Sequence, residues 1–383
     1  MLWGFGFRNY YGFKEGMTLS FALDANCPPQ IAKGRNFATL MCVKGANASG
    51  KTTVLRGISF LAKFACQSFL SEPDGPIGVS THFSSQEPVE LFAEFEVGGI
   101  KYFYELVVTH TEVVREALSR TRSKRTLVIE RKGNSFTQLI SEFSALGAMR
   151  LRGNVSFIST ARQYGLYELN DVIGFFANIT GNVSFSGHVY DGNSLNMVAE
   201  ELFRSPDKKE FVVDFIRSID VGLTNLVIHE MEDKDPLDPS KAKKRYVPIF
   251  EHGGWERGIT WYTESNGTRA LVSRLPRIKQ ALASGGVLLA DELDLHLHPH
   301  IVPKLVALFD DLESNPLGAQ LLFSTHDDDV LDIAGKYRTV LVNKDDNESF
   351  AYRLDEIAGD LVRNDRPVST IYKAGKIGGT PRL

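Results

Sequence analysis

The chain has 383 residues, 43% hydrophobic and 23% charged, a composition that supports a large buried core in one or two domains. A net charge of −4 gives no overall pull toward nucleic acid or an anionic membrane, so binding of that kind needs a local patch. Cys27, Cys42 and Cys66 have neither metal-ligand spacing nor an even count, no signal-peptide pattern opens the chain, and no apolar run is long enough to span a bilayer, which together point to the cytoplasm and away from the membrane.

In chain order, 37–43 reads as a buried strand and 53–58 as the start of a helix. Between them Gly45-Ala46-Asn47-Ala48-Ser49-Gly50-Lys51-Thr52 fits G-x-x-x-x-G-K-[ST] without a mismatch. Backbone N–H groups of such a loop wrap phosphates, the lysine reaches the β/γ oxygens and the threonine hydroxyl binds Mg²⁺. The candidate nucleotide contacts are therefore Gly45, Asn47, Ser49, Gly50, Lys51, Thr52 and Thr53. Residues 89–97 and 100–106 alternate in hydrophobicity around Gly98-Gly99, a hairpin pattern, and a further strand pair is expected around 127–130. From 135 to 217 the periodicity turns helical, with a short strand expected at 155–159, and the charged, proline-bearing stretch 232–245 reads as an exposed loop.

The last third carries three more motifs. Glu264-Ser265-Asn266-Gly267-Thr268 precedes an amphipathic run from Arg269 to Leu282, so Ser265 would cap a helix whose positive end suits an anion. Residues 287–290 form an apolar strand ending in Asp291 and Glu292; the first suits Mg²⁺ and the second can take a proton from an attacking water. A second apolar strand, 320–325, ends at His326, placed to contact a γ-phosphate. These motifs predict an α/β P-loop NTPase fold.

Phosphate loop, Ser-x-Gly signature, Asp-Glu strand and strand-end histidine, in this order, resemble the ATP-binding-cassette superfamily. The gap of roughly two hundred residues between the first two is closer to its SMC, RecF and OLD branch. The opening Phe7-Arg8-Asn9-Tyr10-Tyr11-Gly12-Phe13-Lys14, Asp291-Glu292-Leu293-Asp294-Leu295-His296-Leu297-His298-Pro299, Ser324-Thr325-His326-Asp327 and the segment from Tyr372 to Pro381 look like the bacterial standalone AAA/ABC-type ATP-binding proteins of abortive-infection and anti-phage systems. The resemblance implies an ABC/SMC-head-like fold with an N-terminal β-rich lobe (1–134), a helical insertion (135–240) and a C-terminal lobe (241–383) composing one ATPase domain. It implies ATP and Mg²⁺ as cofactors, with Lys51, Glu292 and His326 catalytic. It also implies a head-to-tail homodimer, open to further assembly, in which Ser265, Asn266 and Gly267 close on the partner's ATP. Thr268 stands where transporter cassettes carry glutamine. A glutamine linking Mg²⁺ to the helical region is expected at Gln163, with Gln86 as second choice.

The same family suggests an effector partner, a Toprim- or RNase-type nuclease or a toxin, while a RecF- or SMC-like DNA-maintenance ATPase is the alternative. Arg115, Arg120, Arg122, Lys124, Arg125, Arg131 and Lys132 could grip nucleic acid, or be balanced by Glu112, Glu116 and Glu130 on a solvated face. His296, His298 and His300 alternate as strand ligands would, but they follow the Asp-Glu strand where a helix is expected, and alternate residues of a helix do not share a face.

Overall fold

The computed structural model describes every residue except 185–186, 190–194, 220–221, 234–242, 255–256, 358, 360, 365 and 381–383. β1 (Leu2–Arg8) and β2 (Met17–Ser20) pair antiparallel, and the short helix α1 (Pro29–Ala32) leads to β3 (Leu40–Gly45) and α2 (Lys51–Gln67). β3 is buried at every position, as a parallel strand covered on both faces must be. β4 (Val89–Val97) and β5 (Ile100–Val108) instead bury alternate residues, Val89, Leu91, Ala93 and Phe95 against Tyr102, Tyr104, Leu106 and Val108. They turn at Gly98 and Gly99, whose φ values of 59° and 73° are those a two-residue type I′ loop requires. β6 (Val113–Thr121), β7 (Arg125–Lys132) and β8 (Ser135–Leu139) continue the meander. Among the described residues this gives a seven-stranded sheet ordered β2-β1-β4-β5-β6-β7-β8.

The middle of the chain forms α3 (Ser144–Gly147), α4 (Phe157–Gln163) and α5 (Asn170–Ala177). The strand expected at 155–159 is the start of α4. Ser156 Oγ accepts from Ile158 N–H at 3.0 Å, and this cap selects a helix over the extended pairing the apolar alternation suggested. β9 (Ile179–Gly181), β10 (Val183–Ser184) and β11 (Gly187–His188) then interrupt the helical region before α6 (Leu195–Arg204) and α7 (Pro206–Arg217). β12 (Leu223–Asp233), β13 (Lys243–His252) and β14 (Ile259–Thr260) make a small antiparallel sheet. The loop expected over 232–245 is strand at both its ends. Glu232 faces Lys244 and Asp233 faces Lys243, so the charges that suggested a loop are cross-strand pairs; 234–242 lie outside the described residues.

The C-terminal third runs α8 (Asn266–Ser284), β15 (Val287–Ala290), α9 (Ile301–Asp310), β16 (Gln320–Ser324), α10 (Val330–Ala334), β17 (Thr339–Asp345), β18 (Glu348–Arg353) and α11 (Val368–Lys373). Among the described residues a six-stranded sheet, ordered β18-β17-β3-β16-β15-β9 and parallel except for β18, gathers strands from distant parts of the chain. Its side chains alternate between two cores. Met41, Val43, Leu289, Leu322 and Val342 face α2 and the antiparallel sheet, whereas Leu40, Cys42, Leu288, Leu321 and Leu341 face α8 and α9. Buried Gln320 ties the layers together, accepting from Leu2 N–H and donating to Leu2 O and Ala38 O. Among the described residues no helix is long and apolar enough to cross a membrane.

Candidate functional site

β3 delivers Gly45 to the C-terminal edge of the parallel sheet, and the 17-residue helix α2 begins at Lys51, so the positive end of its dipole faces the loop between them. Gly50 has φ 115°, and a Cβ there would meet the Phe13 ring at 2.9 Å, so only glycine fits. Lys51 folds over the loop, Nζ donating to Gly45 O at 2.9 Å and Ala46 O at 3.0 Å. Burial lowers its amine from the usual lysine value, against the opposing pull of Asp291. Ser49 is buried, Asn47 is exposed at the loop's rim, and Thr53 lies half-buried in the first turn of α2.

β15 ends beside that turn. Thr52 Oγ1 donates to Asp291 Oδ2 at 2.8 Å, and Ser324 Oγ at the end of β16 donates to Asp291 Oδ1 at 2.6 Å. Burial alone would raise the Asp291 carboxyl, but the nearby His188 imidazole and the hydrogen bonds from Ser324 and Thr52 outweigh it and hold the group below the usual aspartate value. The backbone of Asp291 is clamped by Asn182, whose Nδ2 donates to Asp291 O at 2.9 Å and whose Oδ1 accepts Asp291 N–H at 2.8 Å. Glu292 adopts φ 51°, a left-handed conformation that disfavours non-glycine residues and recurs where a functional turn is held in place. Its N–H donates to Ser324 Oγ at 2.8 Å. Thr52 and Asp291 form a hard oxygen pair, and 2.8 Å is close to one edge of an octahedron with arms of about 2.0–2.1 Å, so these groups fit Mg²⁺.

A cavity of about 850 Å³ opens beside the loop, lined among others by Gly45, Asn47, Ser49, His326, Asn343, Phe350 and Tyr372. That size suits a small-molecule ligand. His326 is exposed on its wall and its backbone N–H donates to Asp294 Oδ1 at 3.1 Å. Lys44, 3% exposed, pairs with Asp328 at 2.7 Å beneath the same cavity, with the Tyr372 ring 5.5 Å from its ammonium.

The remaining sequence candidates fall elsewhere. Ser265 caps α8, its Oγ accepting from Thr268 N–H at 3.1 Å, while Asn266 Oδ1 accepts from Arg269 and Gly267 lies against His296 O. No hydrogen bond among the described residues joins 265–267 to 45–53. Gln163 is not brought to the metal pair. It is exposed at the end of α4, where the neighbouring Arg162 donates to Cys66 O at the far end of α2, about 20 Å from Thr52 at 1.5 Å per residue. Gln86 is exposed too and donates to Ser84 O. His296, His298 and His300 sit in the turn before α9, with the rings of the last two 4.9 Å apart.

The basic cluster is largely paired. Arg115 bonds Glu105 and Glu130, Arg120 bonds Glu142, and Arg131 is fully buried on Glu116 and so belongs to the core. Asn182 and His188 are the site residues that sequence reasoning missed. They follow β9, a three-residue strand too short for any periodicity to reveal.

The profile of the family described as "AAA domain, putative AbiEii toxin, Type IV TA system" matches residues 40–332. No curated protein matches the sequence. Similar solved structures include the SmcHead bound to the C-winged helix domain of ScpA, at 12% identity over 93% of this chain and 98% of that one, with a TM-score of 0.47. The SMC head domain from Thermotoga maritima shares 15% identity over 92% and 98% of the two chains, with a TM-score of 0.44. The Smc head domain with an extended coiled coil bound to the C-terminal domain of ScpA, derived from Pyrococcus furiosus, shares 11% over 93% and 97%, with a TM-score of 0.42.

Proposed function

Since the chain belongs to the AbiEii-type AAA-domain family and is an ATPase of that kind, we propose that it works as a Mg²⁺-dependent, ATP-driven dimeric switch in the cytoplasm, the regulatory ATPase of an anti-phage or toxin–antitoxin-like system. The loop from Gly45 to Thr53 holds the phosphates, and Lys51 exchanges its two backbone carbonyls for β/γ oxygens. Thr52 and Asp291 would hold the metal, which would supply positive charge to offset that of the phosphates. Glu292 orients a water and takes its proton, while His326 meets the γ-phosphate from the cavity wall. Hydrolysis then turns on positioning and charge, which these groups supply.

One observation carries the dimer. Ser265 and the amino end of α8 present hydrogen-bond donors suited to phosphate, yet no hydrogen bond among the described residues links them to the chain's own phosphate loop. A second copy, docked head to tail, would bring them onto the ATP. The closed dimer, alone or within a larger assembly, would restrain or release an effector such as a Toprim- or RNase-type nuclease or a toxin. Glu292→Gln should bind ATP without turning it over and accumulate as a dimer by light scattering; a variant that stays monomeric with ATP bound would sink the head-to-tail switch.

A further inference from the structure

Gln163 lies far from Asp291, but another side chain approaches that carboxylate. β9 pairs parallel with β15, and the chain leaving it passes Asn182, which grips the Asp291 backbone from both sides. It then forms β10 and β11, paired through Val183 with His188 and Ser184 with Gly187. Ser59 Oγ on α2 donates to Val183 O at 2.7 Å, and a Cβ on Gly187 would lie 2.6 Å from Arg56 Nη2 and 4.0 Å from Thr52 Cγ2. This β-ribbon is therefore fastened to β15 on one side and to the first turns of α2 on the other. Placement by two regular elements holds a functional side chain more tightly than a free loop does.

His188 ends the ribbon with its side chain 11% exposed, and its Nδ1 is 3.6 Å from Asp291 Oδ2, the same oxygen that Thr52 contacts. Oxygen donors alone favour Mg²⁺, whereas an imidazole nitrogen raises affinity for later divalent metals. Building on the nucleotide reading above, we propose that His188 is the third protein group facing the nucleotide-bound metal, and that its imidazole nitrogen shifts the preference of this ATPase from Mg²⁺ toward Mn²⁺ and Co²⁺. The nitrogen would have to bind the ion directly, since a bridging water would leave the donor set all oxygen.

The test uses the full chain with Mn²⁺ and ADP, read by pulsed electron paramagnetic resonance. Wild type should show a ¹⁴N coupling to the bound Mn²⁺ that disappears in His188→Ala. In parallel, the ratio of Mn²⁺ to Mg²⁺ affinity should fall roughly tenfold, the scale of losing a group that tunes a metal site. His188→Gln keeps the ribbon filled and should lose the same coupling while retaining the wild-type melting temperature. Mn²⁺·ADP that binds without a nitrogen coupling, or a coupling that survives in His188→Ala, overturns the inference and leaves the nucleotide reading standing. A wild-type chain that takes up no Mn²⁺·ADP removes the phosphate-loop reading and this inference together.

Discussion

Lys51 and Arg131 are both buried cations, and the molecule uses them in opposite ways. Lys51 rests on two backbone carbonyls of its own loop, with a cavity opening beside it. Arg131, at 0% exposure, is locked into the antiparallel sheet, where Nε donates to Glu116 at 2.7 Å, Nη1 donates to Arg152 O and Nη2 to Val155 O. Glu116 in turn accepts from Tyr104, Ser156 and Phe157 N–H, and burial together with that carboxylate keeps the Tyr104 phenol protonated. One cation has neutral partners it can leave for a phosphate; the other has a charged partner that cannot be stranded. A buried charge thus signals function only when its present partners are replaceable.

The largest effect should follow from breaking the second arrangement. Arg131→Ala leaves Glu116 charged and buried, and should cost about 3–5 kcal/mol in urea unfolding. A loss below about 1 kcal/mol would mean that the network is not holding the sheet and that the contrast with Lys51 is false.

Lys51→Ala should do the reverse. ATP affinity by calorimetry should drop roughly a hundredfold, in line with the loss of charge-assisted hydrogen bonds to phosphate. Stability should hold or rise slightly, because burial already disfavours the charged amine in the folded chain. Retained affinity would remove the phosphate-loop assignment, and a marked loss of stability would make Lys51 a structural cation like Arg131.

The same contrast explains what could be read from the sequence. The phosphate loop must be contiguous, so Gly45 to Thr52 was legible, as were the strand ending at Asp291 and the helix that Ser265 caps. Residues that reach the site by pairing between distant segments were not. Asn182 and Asp291 are 109 positions apart and meet only because β9 lies beside β15. Gln163 failed for a local reason, since the Ser156 cap turned an expected strand into a helix that carries it away. Glu116 and Glu130 could be named from the sequence as balancing charges for the basic cluster, but not that Arg131 and Glu116 meet in the core instead of on a solvated face, because burial depends on pairing between strands.

The smallest effect tests whether any of that cluster is free to act. Arg120 bonds Glu142, whose side chain is 41% exposed, so Arg120→Ala should cost at most about 1 kcal/mol. The Arg120 hydrogen bond holds the Glu142 carboxyl below the usual glutamate value. What the pair contributes is therefore present above that value and fades as the pH falls through the lowered one. Arg115 is engaged on both sides, by Glu105 at 3.2 Å and Glu130 at 2.7 Å. Arginines held this way have carboxylates to leave before they can meet a phosphate backbone, which sets them apart from Lys51. Arg115→Ala and Arg120→Ala should therefore leave duplex DNA binding, and its dependence on salt, at the wild-type level. If either substitution instead lowers the salt slope by about one counterion, that arginine neutralises a phosphate. The antiparallel sheet would then be a nucleic-acid face, and the alternative of a DNA-maintenance ATPase would return.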